Sequence, residues 1–143
     1  MLVNPSKTNL CFNISTVNQA FEILTIIKKN KKILPIFFIK YFLINRFDTE
    51  WIIEFRNLLL SKYNKNDFKL LIDCRNNYAL FIYLVEKKFD FLSIKGDRKT
   101  LLRLKNIAKK NKVTVNPKIG IIDLSNIKNI KFKINKHIKK IND

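Results

Sequence analysis

Glycine is nearly absent: Gly96 and Gly120 are the only two in 143 residues. A backbone that approaches a phosphate closely needs glycine, so neither GxGxxG nor GxxxxGKS/T can be written anywhere in the chain. A dinucleotide or P-loop cradle of the usual kind is therefore excluded. Histidine occurs once, as His137. One histidine inside a basic segment supports neither a Ser-His-Asp arrangement nor a multi-histidine metal site. The two cysteines, Cys11 and Cys74, have no metal-ligand spacing and call for no disulfide framework, which fits a reducing compartment. On these grounds no catalytic residue, metal or cofactor is assigned.

Long apolar runs are missing too. The richest, ILPIFFIKYFLI (33–44), holds Pro35 and Lys40 and is too short to span a bilayer. The opening MLVNPSKTNL has no apolar core of signal-peptide length. A soluble, cytoplasmic protein is expected. Acidic residues are the last scarcity: 11 Asp and Glu face 29 Lys and Arg, a net charge of +18. Lys, Asn, Ile, Phe and Tyr, all with AT-rich codons, fill 80 of the 143 positions, so an AT-rich genome supplies part of the lysine. Such drift does not explain the shortage of acids, whose codons tolerate it equally. The excess charge thus points to an anionic partner.

What is present is a folding composition. With 47% apolar residues, one domain of this length buries about 70% of the surface its unfolded chain exposes. Two periods alternate along it. Residues 16–30 place Val17, Ala20, Phe21, Leu24 and Ile27 on one helical face, capped by Ser15 or Thr16. ILPIFFI (33–39) reads as a strand covered on both faces. Residues 48–63 read as a helix capped by Asp48, and 68–74 as a strand. NNYALFIYLVEKK (76–88) is apolar all round and reads as a buried helix. FDFLSIK (89–95) is strand-like, Gly96-Asp97 opens a basic helix, and KIGIIDL (118–124) adds a strand, with LCFNI (10–14) as a first or edge strand.

Strands alternating with helices predict a compact α/β domain over 1–124. Its sheet is expected to be mostly parallel, with four to five strands and helices on both faces, the size of flavodoxin-like or anti-sigma-antagonist-like folds. The segment 125–143 reads as a basic amphipathic helix with Ile127, Ile130, Ile134, Ile138 and Ile141 in one stripe. The alternation of Ile130, Phe132 and Ile134 with lysines also admits a strand.

In a parallel α/β sheet, ligands sit beyond the carboxyl ends of the strands. Three expected connections reach that edge, INRFD (44–48), DCRNN (73–77) and KGDR (95–98), and each holds one of the chain's five arginines. Arginine offers a rigid bidentate fork that lysine cannot imitate. Arg46, Arg75 and Arg98, with Asp73 and Lys95, are therefore the anion-binding candidates; the plainer reading makes them polar turn residues beside helix caps. Cys74 at a strand end beside Arg75 invites a nucleophile reading, against the commoner one of a buried core thiol. Candidates for nucleic-acid contact are Lys99, Arg103, Lys109 and Lys110 on the basic helix and Lys131, Lys133, Lys136, Lys139 and Lys140 in the tail. A solvated helix face is the competing explanation. The aromatics lie mostly in apolar runs and read as core.

The run LLIDCRNNYALFIYLVEKKFDFLSIKG, followed by a helix and a short strand, resembles small uncharacterised α/β proteins of alphaproteobacteria. Those also show a strand ending in Asp-Cys before an apolar helix and strand. The resemblance covers about half the chain and departs where those proteins are rich in Ala and Gly. It implies a fold and a lineage, and no activity. The expected function is a non-catalytic binding module for an anionic partner, RNA or a ribonucleoprotein surface. The alternatives are a regulatory protein-interaction domain of the anti-sigma-antagonist type and a small-molecule enzyme using the strand-end loops. Peripheral membrane contact by the tail would require its apolar stripe to be open.

Overall fold

The computed structural model describes residues 7–28, 30, 32–124 and 130–142. Six strands, β1 (Thr8–Asn13), β2 (Ile33–Ile39), β3 (Lys69–Asp73), β4 (Phe91–Ser93), β5 (Thr114–Val115) and β6 (Ile121–Asp123), form one sheet in the order β5-β4-β3-β2-β1-β6. Every neighbouring pair is parallel. The six helices are α1 (Val17–Ile27), α2 (Tyr41–Phe47), α3 (Thr49–Leu60), α4 (Tyr78–Glu86), α5 (Arg98–Lys110) and α6 (Ile130–Asn142). The expected α/β class and parallel sheet are present, with six strands in place of four to five.

Local signals place the helix starts. Thr16 and Gln19 form a reciprocal capping box at α1. Asp48, Asn77 and Asp97 cap α3, α4 and α5 with their side-chain oxygens. Two elements were not foreseen. The residues after β2 form the short helix α2 instead of a plain connection, and Thr114–Val115 form a short edge strand.

The helices do not divide between two faces. Buried residues of all six join one apolar cluster with Phe12, Phe37, Ile39, Leu70, Ile72 and Leu92, the alternate positions along the strands. The reason lies in the strand order. From β1 to β5 the chain adds each strand on the same side of the last, and right-handed crossovers advancing in one direction put every helix on one face. The return to β6, at the opposite edge, passes over the other face. There Cys11, Ile36, Leu71 and Phe91 make a row across the four central strands, and Ile119 of the returning segment packs on it beside Phe38. Asn116 opens that return; its amide exchanges hydrogen bonds with the Ile94 backbone at 2.8 and 3.1 Å.

Within the tail, Ile130–Asn142 is helical and belongs to the core. Ile130 and Ile134 are buried, Ile138 and Ile141 half-buried, and α6 packs beside α1. Complete burial of a side chain the size of Ile134 stabilises by about 2 kcal/mol. The apolar stripe that a membrane surface would need is thus taken up by the fold. Ile127 lies outside the described residues. No helix among the described residues is long and apolar enough to cross a membrane.

Candidate anion-binding site

At the carboxyl edge the β3–α4 turn is stitched to its neighbours by backbone. The Cys74 N–H donates to the Ser93 carbonyl at 2.8 Å and the Lys95 N–H to the Arg75 carbonyl at 2.6 Å. Asp73 accepts from the Arg75 N–H at 3.0 Å, which helps hold Arg75 at φ 50°. Asp73 is therefore a turn-former whose one oxygen is engaged locally. Lys95 is exposed, and its backbone makes the link.

Arg75 stands over the ring of Tyr41, its guanidinium carbon 5.7 Å from the centroid. The Tyr41 hydroxyl accepts from the Asn77 amide at 3.3 Å, while the Asn77 carbonyl oxygen accepts from the Leu80 N–H at 3.0 Å and caps α4. Arg46, in the last turn of α2, lies over the Phe47 ring at 5.5 Å. Tyr41, Arg46, Phe47, Asp48 and Asn77 border one open-sided cavity of about 370 Å³. At its rim Asp48 has φ 82° and ψ 163°, a region almost reserved for glycine and costing about 1–3 kcal/mol. The Asp48 carboxylate accepts from the Thr49 N–H at 2.6 Å.

Of the three candidate arginines, Arg75 lies over Tyr41, and Arg46 borders the cavity that Tyr41 also lines. Arg98 sits exposed at the first position of α5 and makes no hydrogen bond, ion pair or ring contact among the described residues. Arg56 shows what a structural arginine looks like here: it donates to the Lys87 carbonyl at 2.8 Å and lies 4.1 Å over Phe89. Neither Arg46 nor Arg75 donates a side-chain hydrogen bond among the described residues, so both forks are open. Sequence reading missed Tyr41, Phe47 and Asn77 as parts of this site. Tyr41 was absorbed into an apolar run, and only its place directly after a strand end marks it.

Cys74 is fully buried, and burial, assisted by the neighbouring Asp73, pushes its thiol up to about 12. Burial does the same to Cys11. A thiolate nucleophile at the β3 end is thereby disfavoured: the adjacent positive charge of Arg75 does not offset the loss of water.

The two basic helices sit at opposite flanks. α5 packs against α4 and β5, α6 against α1, and β5 and β6 are the two edges of the sheet. On α5, Lys99, Arg103, Lys105, Lys109 and Lys110 are exposed, as is Lys112 just beyond its end, and none is in an ion pair among the described residues. Lys105 and Lys109 share one side of the helix, and with Lys112 of the following turn, Thr114 and Val115 they border a cavity of about 360 Å³. On α6, Lys131, Lys136, Lys139 and Lys140 are exposed, while half-buried Lys133 donates to the Asp123 carbonyl at 3.3 Å. His137 is held below its ordinary pKa by partial burial and by Lys140, Lys133 and Lys136. Compared with protein-family models, with curated proteins and with solved structures, the chain has no match.

Proposed function

We propose that this chain is a non-catalytic binding module for an anionic partner, RNA or a ribonucleoprotein surface, acting in the cytoplasm. The observation that carries the reading is α5. Its thirteen residues contain no carboxylate, and its exposed cations have no acidic partner among the described residues. Side chains kept for solubility alone need not be stripped of every counter-charge along one face. A polyanion laid along that flank would release its counterions, so affinity must fall steeply with salt.

The test is fluorescence anisotropy with labelled single-stranded RNA at about 50 and 200 mM salt. Six single-strand phosphate contacts predict a roughly 300-fold weakening over that range. Substituting Lys105, Lys109 and Lys112 by alanine reduces both the affinity and the slope. Deleting the tail is an unsuitable control, because Ile134 is part of the core. Absence of binding at low salt would assign the +18 charge to base composition.

A protein partner is the second reading, and one observation favours it: Phe42 and Phe47 of the short α2 are each 49% exposed. A partner docked there would bind with little dependence on salt.

A further inference from the structure

An apolar-floored hollow lies at the amino end of the sheet. About 560 Å³ in volume, it is bordered by Lys7, Lys28, Lys62 and Tyr63. Lys28 caps the carboxyl end of α1, and Lys62 follows the cap of α3. Lys62 lies over the Phe21 ring at 4.9 Å, and both lysines stand at helix carboxyl ends, where a positive charge is favoured with no ligand.

The Tyr41 cavity is different. Its arginine, Arg46, and the neighbouring Arg75 lie over aromatic rings at 5.5 and 5.7 Å and donate no side-chain hydrogen bond among the described residues. A guanidinium stacked on a ring is held in orientation while its in-plane N–H groups remain available, the arrangement that suits a phosphate. The cavity is also bordered by Tyr41, by Phe47, whose ring packs against Trp51 at 5.5 Å, by the Asp48 carboxylate and by the Asn77 amide. Its volume of about 370 Å³ lies within the ligand-pocket range of about 300–1,000 Å³. The strained backbone at Asp48 keeps these groups at the rim without a glycine.

Phosphate-binding forks, aromatic rings and a hydroxyl acceptor together describe one ligand chemistry. We infer that the Tyr41 cavity takes a single nucleotide unit, its phosphate on the forks of Arg46 and Arg75 and its base against the rings of Tyr41 and Phe47. Asp48 accepts from a ribose hydroxyl through the oxygen not engaged by Thr49. The unit has two sources, a free nucleotide or one residue of a single-stranded RNA. Only the second rests on the function proposed above.

The experiment uses the full chain, two probes and two variants. The probes are adenosine monophosphate, followed by NMR amide shifts, and a labelled single-stranded RNA of about ten nucleotides, followed by anisotropy. The variant R46K/R75K keeps the net charge and removes both forks at exposed positions; K105A/K109A/K112A strips α5. Expected are shifts at Tyr41, Arg46, Asp48 and Asn77 with the mononucleotide. These are lost in R46K/R75K and kept in the α5 variant, and RNA affinity falls at least tenfold in R46K/R75K. Shifts with the mononucleotide but none with RNA would identify a free-nucleotide site and overturn the RNA function alone. A loss confined to RNA would identify a site that reads one unit within a strand. RNA binding that is the same in wild type and R46K/R75K, with no mononucleotide shifts, would overturn the inference while leaving the α5 reading intact. No response to either probe would overturn both.

Discussion

Helices α5 and α6 are each thirteen residues long and strongly basic, yet the fold treats them in opposite ways. α6 inserts Ile130 and Ile134 into the core beside α1, and its Lys133 ties back to the end of β6. α5 buries only Leu104 and Ala108, leaves Leu102 62% exposed, and turns its cations outward along the β5 edge. Equal charge therefore does not mean equal role. One helix uses its lysines to stay hydrated while its isoleucines hold the fold together. The other presents its charge as a surface.

The largest test of that contrast is Ile134→Ala, which costs about 2–5 kcal/mol in chemical denaturation, because it removes side-chain volume from a closed core. Leu102→Asp on α5 stays within about 0.5 kcal/mol, as an exposed substitution should. Equal effects would erase the distinction between a core helix and a display helix.

Next in size is the salt dependence of RNA binding. Alanine at Lys105, Lys109 and Lys112 lowers the slope of log affinity against log salt by about 2, since each single-strand phosphate contact contributes about 0.7. Alanine at Lys131, Lys136 and Lys140 of α6 lowers it less. A larger change from the α6 set would move the interface to the opposite flank.

The smallest effect is on pH, and the window in which it acts differs between the two helices. His137 has a folded pKa below its reference of 6.5. Between those two values the unfolded chain binds more protons, so the stability His137 contributes is complete above 6.5 and falls as the pH drops through the window. The protection of α6 amides, taken relative to their intrinsic exchange rates, therefore falls on mild acidification, and His137→Gln removes that part of the response. Asp97, the α5 cap, is held below its reference of 3.8 chiefly by the backbone N–H of Thr100. Its contribution survives mild acid and is lost only as the pH falls through that lower folded value. Loosening of both helices at the same pH would contradict the assignment.

Much of the architecture was legible because periodicity and caps are local. The strand at 33–39 and the caps at Thr16, Asp48 and Asp97 need no information from elsewhere in the chain. Thr114–Val115 was not legible, because two residues carry no period. α2 was hidden because Tyr41 to Ile44 continue the apolar run of β2, and seven residues give less than two full turns of pattern. The distribution of helices was missed for another reason. Which face a crossover takes depends on strand order, which no local signal encodes. For the candidate site, the scarcity of arginine singled out Arg46 and Arg75. Tyr41, which lies in the same crossover as Arg46, is brought under Arg75 only by folding.

The pairing of β1 with β6 sets a schedule for folding. Cys11 lies opposite Ile121, so the first strand waits for the last before its outer side is hydrogen-bonded. During synthesis the chain adds β2 to β5 on one side while the other side of β1 stays an open edge. Non-local pairings of this kind close slowly, and an unpaired strand edge is where chains join one another wrongly. Asn13, buried at the end of β1, donates to Asp123 at 3.2 Å across that last pairing. The pairing thus works as a clasp that closes only once β6 has been made.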